Sequence, residues 1–285
     1  MNYQHQFHAG NFADLFKHCI LCCCLQYLKQ KDKPLLAIDT HAGAGKYEIN
    51  NAEATNGIKK LLLHQDFYEA MPPIFWQILA KINITTISSL SKDIRFYAGS
   101  PLLIKNILAD KKEPWQAIFG ETKQSVHYLL KRNFAGNKKI ILHKNDGFAL
   151  LKSKLPPLQK RAMVLIDPPY EKDQNTISAD YNNSIIALQQ AYKRFASGVY
   201  LWWYPIIDKQ QHIVENAINN ISNIGFTEIL TIEIDIDNPD LKMQKCGMLI
   251  INPPWQLQSE LQNFLPKLLT IIGGSKHQCK FLVKK

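Results

Sequence analysis

Short runs of consecutive apolar residues recur along the chain. They lie at residues 35–39, 117–121, 140–143, 163–167, 199–203, 229–236 and 248–252. A continuous apolar run is typical of a strand buried on both faces, whereas a strand with one exposed face alternates apolar and polar residues. The runs therefore predict a mostly parallel, seven-stranded sheet that helices cover on both sides.

Segments with apolar residues at helical spacing lie between these runs. They are found at residues 125–133, 177–195 and 212–224, and another, at 14–28, precedes the first run. Strands that alternate with helices indicate a doubly wound α/β fold. In such a fold, ligands bind beyond the carboxyl ends of the parallel strands.

The connection between Tyr47 and Gly99 is too long for a simple crossover helix. Its apolar clusters at 61–63 and 75–79 are typical of helices. We predict an inserted helical subdomain at 47–98, with residues 1–46 and 99–285 forming the main domain and its N-terminal helical segment. The insertion either grips a substrate or is a purely structural addition, and the sequence leaves both open.

The 285-residue chain carries a formal net charge of +10. This excess of Lys and Arg favours a polyanionic partner, of which nucleic acid is the commonest. No segment approaches the roughly 18 uninterrupted apolar residues of a membrane-spanning helix, and the first residues lack the basic-then-apolar pattern of a signal peptide. We expect a cytoplasmic monomer without a membrane partner.

Four of the six cysteines lie at positions 19, 22, 23 and 24. Such crowding does not describe a disulfide framework. The Cys19-x-x-Cys22 spacing beside His18 is compatible with metal or redox chemistry, but the segment has helical spacing and no second pair lies nearby. Small apolar side chains that fill a helix face explain these thiols better, and we predict no metal site.

The apolar run at 163–167 ends in the tetrapeptide Asp-Pro-Pro-Tyr at 167–170. The exocyclic amine of adenine is a poor nucleophile because its lone pair is delocalised into the ring. A carboxylate and a backbone carbonyl at a strand end can accept both amine hydrogens and localise that lone pair, which stabilises the transition state. We predict that Asp167 and the Pro168 carbonyl hold the amine and that Tyr170 stacks on the base. The alternative is a rigid turn without chemistry.

A second motif follows the first predicted strand, where residues 39–45 read Asp-Thr-His-Ala-Gly-Ala-Gly. Glycines let the backbone approach a ligand closely. The next two predicted strands end near Glu121 and Asp146, and in nucleoside-binding α/β folds such carboxylates bind ribose hydroxyls and an adenine amine. This turn lacks the third glycine of a nicotinamide site and the Gly-Lys-Ser/Thr of a nucleotide triphosphatase. The layout is that of an S-adenosylmethionine methyltransferase.

Together, these motifs resemble those of the bacterial 23S ribosomal RNA adenine-2030 N6-methyltransferase family. The resemblance is carried by residues 3–11, 39–45, 99–101, 146–147, 167–170, Gly247 and 252–255, and it spans essentially the whole chain. It implies a Rossmann-like class I S-adenosylmethionine methyltransferase fold with S-adenosylmethionine as the cofactor. The implied substrate is an adenine of 23S ribosomal RNA, either naked or in an assembly intermediate.

The resemblance also implies which residues form the site. The methyl-donor pocket would be lined by His18, His41, Ser100, Glu121, Asp146, Gly147 and Asp167. Asp167 would also be catalytic, and Tyr3 would lie against the RNA. Lys17, in a segment that mixes aromatic and basic residues, either neutralises a phosphate near the active site or is simply solvated.

Three questions remain open at this point. The Asp-Pro-Pro-Tyr motif also serves adenine N6 in DNA and guanine N2 in RNA, although a DNA enzyme usually has a separate recognition domain, for which the insertion is small. A noncatalytic RNA-binding protein could retain the same fold. Another tetrapeptide, Asn-Pro-Pro-Trp at 252–255, follows the last predicted strand, and we expect it away from the catalytic edge.

Overall fold

The computed structural model describes residues 8–50, 52–170, 174–207, 211–238, 241 and 243–284, without the side chains of 174–176. The strands in this part of the chain are β1 (Leu35–Asp39), β2 (Lys46–Glu48), β3 (Phe96–Ala98), β4 (Trp115–Gly120), β5 (Ile140–His143), β6 (Ala162–Ile166), β7 (Val199–Ile206), β8 (Glu228–Ile236), β9 (Lys245–Ile251) and β10 (Gly274–Lys284). Eight of these described strands form one sheet in the order β10-β8-β9-β7-β6-β1-β4-β5. The prediction of seven strands was therefore wrong by one, because the lysine-rich edge strand β10 has no continuous apolar run.

Strands β1 and β4 to β8 of this sheet run in one direction, whereas β9 and β10 run against them. β1 pairs in parallel with β4 on one side and β6 on the other, so that Asp39 lies opposite Phe119 and Leu165. The chain order reverses at β1, which is where open α/β sheets bind their ligands. The predicted mostly parallel α/β fold is confirmed.

Helices cover both faces of the sheet. They are α1 (Phe12–Lys29), α2 (Ala52–Ala54), α3 (Lys60–Leu63), α4 (Pro73–Asn83), α5 (Leu90–Asp93), α6 (Ser100–Leu108), α7 (Gln124–Phe134), α8 (Gly147–Lys154), α9 (Gln174–Arg194), α10 (Gln211–Ser222) and α11 (Leu257–Ile272). Leu35 and Ala37 pack with α1, α4, α6, α7 and α11, whereas Leu36 and Ile38 pack with α8, α9 and α10. Since alternate strand residues point to opposite faces, two covered faces explain the continuous apolar runs.

The long connection between β2 and β3 is helical and contains α2 to α5. β2 and β3 pair antiparallel at its two ends. A Cβ on Gly57 would lie 2.0 Å from the carbonyl oxygen of Gly10, so the connection packs directly against the residues that precede α1. Its buried side chains, such as Phe75 and Trp76, belong to the same core as α1. The division of the chain into two domains at 47 and 98 stays a prediction.

Helix α1 is almost entirely buried. Asn11 caps it, because its side-chain oxygen accepts a hydrogen bond from the Asp14 amide at 2.9 Å. Cys22 and Cys24 are fully buried, and burial raises the pKa of both thiols. Within the described ranges, no three His, Cys, Asp or Glu side chains are arranged to hold a metal ion. The same ranges contain no helix whose length and apolar character would let it cross a bilayer.

Candidate active site

The carboxyl ends of β1, β4, β5 and β6 bring the predicted residues to one edge of the sheet. The acidic residues that end or follow these strands are Asp39, Glu121, Asp146 and Asp167. The turns between them pack closely, since a Cβ on Gly147 would lie 2.1 Å from the carbonyl oxygen of Thr40. Only glycine allows the turn before α8 to meet the end of β1 in this way.

Asp39 is fully buried at the centre of this edge. Its Oδ2 accepts a hydrogen bond from Ser100 Oγ at 2.6 Å, and its Oδ1 accepts one from the His41 amide at 3.2 Å. Burial raises the pKa of Asp39 to about 6, although the Ser100 hydrogen bond acts in the opposite direction. The carboxylate ties the first turn of α6 to the loop after β1.

His41 is neutral, with one ring nitrogen that donates a hydrogen bond and one that can accept. Its Nδ1 lies 2.8 Å from Thr40 Oγ1, which donates to the carbonyl oxygen of Leu165 at 3.1 Å. A hydroxyl has one hydrogen to donate, so His41 must donate through Nδ1, and Nε2 keeps its lone pair. Burial lowers the pKa of His41 to about 4. Phe148 contacts the ring edge-on, with the ring centroids 5.2 Å apart.

Gly43 and Gly45 shape the loop after β1. Their φ values are 62° and 77°, a region that residues with a Cβ enter at a cost. The turn is held from two sides, because the Ala44 amide donates to Tyr47 Oη at 2.9 Å and the Ala44 carbonyl accepts from Asn133 Nδ2 at 2.8 Å. The two glycines also allow close packing, because a Cβ on Gly43 would lie 2.1 Å from Tyr47 Oη and one on Gly45 would lie 2.8 Å from the Phe134 ring.

Glu121 and Asp146 are each held by one backbone amide. Glu121 Oε1 accepts from the Lys123 amide at 2.7 Å, and Asp146 Oδ1 accepts from the Phe148 amide at 2.9 Å as the N-cap of α8. Each carboxylate has a second oxygen that suits a hydroxyl or an amine donor. A cavity of about 250 Å³ adjoins Asp146 and is lined by Phe148 and Ile186 among others.

Lys17 is buried between two carboxylates. Its ammonium contacts Asp167 Oδ2 and lies 2.9 Å from Asp14 Oδ1, one turn earlier in α1. The Lys17 side chain is 5% exposed and that of Asp167 is 14% exposed. Pairs this poorly solvated depend on both partners, so Lys17 fixes Asp167 at the end of β6. The alternative that Lys17 is simply solvated was wrong, because the residue is buried; its contact with RNA stays a prediction.

Tyr170 is anchored to β7 by its hydroxyl. The hydroxyl donates to the carbonyl oxygen of Trp203 at 3.0 Å and accepts from Trp202 Nε1 at 2.8 Å. The Tyr170 and Tyr181 ring centroids lie 5.1 Å apart. Burial raises the pKa of Tyr170 well above its usual range, which keeps the hydroxyl protonated. The surrounding core thus sets the ring orientation, and stacking on a base stays a prediction.

The remaining predicted residues differ in how far they are buried. His18 is fully buried, and its Nδ1 lies 2.7 Å from Tyr97 Oη in β3. Pro168 is buried and Pro169 is exposed. Tyr3 lies outside the described residues.

The inserted connection reaches this edge through Glu53 of α2. Glu53 Oε2 lies 2.7 Å from His8 Nδ1 and accepts from Asn11 Nδ2 at 3.0 Å. Asn11 in turn caps α1 at Asp14, which pairs with Lys17. A continuous polar chain therefore runs from the insertion to the ion pair at the end of β6.

Several residues of this edge were not predicted from the sequence. The sequence does indicate the pairing of Asp14 with Lys17, because the two lie three positions apart in a helix. The sequence does not indicate the contacts of Thr40 and Tyr97, since their partners, Leu165 and His18, lie 125 and 79 positions away.

The second Pro-Pro motif lies at the opposite edge of the sheet. β9 runs against β7, so its last residue, Ile251, pairs with Tyr200 near the start of β7. Asn252 Nδ2 donates to the carbonyl oxygens of Ala196 and Gly198 at 2.7 and 2.8 Å. The tetrapeptide at 252–255 is a strand exit away from Asp167, which agrees with its place after the last predicted strand.

Comparison with known proteins points to one family. Residues 32–282 match the model of the family described as "Ribosomal RNA large subunit methyltransferase D, RlmJ". Alignments with two curated relatives cover 94% of this chain and 92% of each relative. They are the ribosomal RNA large subunit methyltransferases J of Escherichia coli K12, at 37% identity, and of Haemophilus influenzae, at 35% identity.

Two solved structures have a similar fold. Protein LPL1258 of Legionella pneumophila has a TM-score of 0.82 at 29% identity, covering 98% of this chain and 99% of that one. A probable spermidine synthase from Corynebacterium glutamicum has a TM-score of 0.51 at 11% identity, covering 98% of this chain and 78% of that one. The second likeness shows the fold alone.

Proposed function

The chain belongs to the ribosomal RNA large subunit methyltransferase J family, and we propose that it methylates the N6 amine of an adenine in large-subunit ribosomal RNA. Membership confirms the family, the class of enzyme and the S-adenosylmethionine cofactor predicted from the sequence. The resemblance makes adenine 2030 of 23S RNA the proposed target. One observation carries the proposal: Asp-Pro-Pro-Tyr follows β6, beside β1, where the chain order reverses.

The edge formed by β1, β4 and β5 suits a donor that contains a nucleoside. Gly43 and Gly45 let the loop after β1 turn tightly against Tyr47 and Phe134, while Glu121 and Asp146 offer carboxylate oxygens to ribose hydroxyls and an adenine amine. His41 Nε2 offers a neutral acceptor. S-adenosylmethionine, when bound, supplies an electrophilic methyl group. The residues proposed to hold it are His18, His41, Ser100, Glu121, Asp146, Gly147 and Asp167.

The chain's own chemistry consists of holding the target amine. Asp167 and the Pro168 carbonyl accept its two hydrogens, which localises the nitrogen lone pair. Lys17 keeps the carboxylate in place, and such positioning must hold to within a fraction of an ångström. Tyr170, anchored on β7, stacks on the base. The methylated amine is strongly acidic, so it loses its proton without a strong base.

RNA binding follows from charge and from access to the base. The net charge of +10 attracts the phosphate backbone, and affinity should fall as salt increases. Turning an adenine out of its stack costs a few kcal/mol, and least where the base is unpaired. Tyr3 and Lys17 remain the proposed RNA contacts of a cytoplasmic monomer, acting on naked RNA or on an assembly intermediate.

The proposal is tested by incubating the protein with labelled S-adenosylmethionine and protein-free 23S RNA, then identifying methylated nucleosides by mass spectrometry. N6-methyladenosine that is absent with Asp167→Ala would support both the chemistry and the target base. N2-methylguanosine, or methylated DNA without methylated RNA, would move the activity to another substrate. RNA binding without detectable binding of S-adenosylmethionine would favour a noncatalytic RNA-binding protein.

A further inference from the structure

A groove of about 730 Å³ lies at the amino edge of the sheet. Its walls come from the end of α1, the residues before β6 and β7, and the tetrapeptide after β9. β1 and β6 have five residues each, so at about 3.3 Å per residue roughly 17 Å of strand separates the groove from Asp39 and Asp167. The groove is therefore distinct from the methyl-transfer site.

The groove carries an excess of positive charge. Its charged lining residues are one acid, Asp32, and four cations, Lys31, Lys33, Lys160 and Arg161. In the part of the chain that the structure describes, none of the three lysines forms an ion pair. The neighbouring acids Asp110 and Glu113 are already paired, with Lys29 at 2.5 Å and Lys111 at 2.7 Å.

Backbone carbonyl groups hold one of these cations, Arg161, in place. Arg161 donates to the carbonyl oxygens of Leu28 at 2.8 Å and Lys33 at 3.3 Å, which joins the end of α1 to the start of β6. Lys160 has a φ of 54°, a left-handed conformation that glycine or asparagine adopts more easily. Position 160 therefore carries a lysine although the backbone conformation there favours glycine or asparagine.

An aromatic surface completes the groove. Trp255 is 76% exposed and follows two prolines, and Asn252 is fixed by the two hydrogen bonds to the residues before β7. Tyr27 lines the same groove. An exposed indole on a rigid support among cations is suited to stacking a nucleobase, because each base offers a π-face and the adjacent phosphates meet the lysines.

We propose that this groove binds a single-stranded segment of the RNA substrate at a distance from the target adenine. Lys31, Lys33 and Lys160 contact phosphates, and Trp255 stacks on a base. This inference rests on the proposed function, since it takes RNA as the substrate. An extended polymer can contact both edges of the sheet at once, and a single-stranded segment exposes the base faces that a duplex hides.

The test compares a short RNA that contains only the target loop with a long RNA that adds the flanking segments. The variants are Trp255→Ala, Trp255→Phe and Lys160→Gly, with Lys276→Ala on the exposed edge strand β10 as a matched control for loss of one positive charge. Lys160→Gly removes the cation while relieving the left-handed backbone, so we expect the variant to fold. Fluorescence anisotropy of both RNAs gives affinities independently of catalysis.

On the long RNA we expect Trp255→Ala to weaken binding and raise KM about tenfold, with Trp255→Phe close to the wild type. Lys160→Gly should lower the slope of log affinity against log salt by about 0.7. For the three groove variants, kcat should equal that of the wild type and of Lys276→Ala. Their affinities and kinetic constants for the short RNA should also be unchanged. Equal long-RNA affinities across all variants would overturn the groove assignment, whether or not methylation is observed. Absence of methylation by the wild type, with these binding differences present, would count against the proposed function alone.

Discussion

The ammonium of Lys17, in α1, contacts the carboxylate of Asp167 at the end of β6, 150 positions further along the chain. Asp14 binds the same ammonium at 2.9 Å. One cation and two carboxylates therefore meet in a poorly solvated site, and the position of each depends on the other two. The N-terminal helix thereby sets the geometry of the residue predicted to hold the target amine.

Replacement of Lys17 by Met should impair both stability and catalysis. Removing one partner from a buried ion pair costs about 3–5 kcal/mol, and the two remaining carboxylates repel each other. We expect a lower free energy of unfolding in urea and a kcat reduced by about 10²-fold. A rise in KM for RNA would accompany them if Lys17 also contacts a phosphate. Lys17→Arg keeps the charge and should recover part of the rate. A Met variant with wild-type kcat would contradict the positioning role.

Replacement of Asp167 by Ala should abolish methyl transfer without unfolding the protein. The amine loses its carboxylate acceptor, so kcat should fall by at least about 10²- to 10³-fold. Lys17 keeps Asp14 as a partner. Glu121 and Asp146, which are proposed to hold the donor, are unchanged, so calorimetry should show only partly weakened binding of S-adenosylmethionine.

The matched control for this variant is Asp235→Ala. Asp235 also pairs with a lysine, Lys245 at 3.4 Å, but it lies in β8 near the other end of the sheet. The Asp235→Ala variant should have the same turnover as the wild type. Equal turnover by the Asp167 and Asp235 variants would refute the catalytic assignment.

The strands were the most predictable part of this fold. β1 and β5 have the predicted bounds. All five residues of β1 are buried, which gives a continuous apolar run, and the edge strand β5 still has three consecutive apolar residues at 140–142. β10 could not be found in this way, since it lies at the sheet edge beside β8 and mixes lysines with apolar residues. Its neighbours in space, not its sequence, make it a strand.

The acidic residues of the site were predictable for a different reason. The carboxyl ends of parallel strands meet at one edge, so Glu121, Asp146 and Asp167 had to lie on the same side of the sheet. No comparable rule predicts the hydrogen-bond and ion-pair partners of Lys17 and Tyr170. A lysine in a helix is usually solvated, and only the packing of α1 and β7 against β6 shows what these side chains bind.

Replacement of Tyr170 by Phe separates the hydroxyl from the ring. The indole N–H of Trp202 would lose its acceptor, and a buried unsatisfied donor costs about 1–3 kcal/mol. The ring would remain available for stacking, so we expect lower stability with most of the methyl transfer retained. Tyr170→Ala should lose transfer as well. Comparable rates for the Ala and Phe variants would argue against stacking; thermal unfolding and steady-state kinetics measure both effects.

The last prediction concerns pH and Asp39. Burial raises the pKa of Asp39 to about 6 in the folded protein, against about 3.9 in an unfolded chain. The folded state therefore binds the proton more tightly than the unfolded state. The stability that protonation contributes is fully present below about pH 4 and is lost as the pH rises through 6. A shift of about two units corresponds to roughly 3 kcal/mol.

Asp39→Asn removes this penalty, because its amide cannot ionise and can still bond the His41 amide and the Ser100 hydroxyl. Relative to the wild type, the variant should gain roughly 3 kcal/mol of stability between pH 4 and pH 8, measured by urea unfolding across that range. Ser100→Ala removes the hydrogen bond that lowers the pKa of Asp39, so its loss of stability should extend to higher pH. A stability difference between the Asp39→Asn variant and the wild type that does not change with pH would mean that Asp39 ionises in the fold as it does in water.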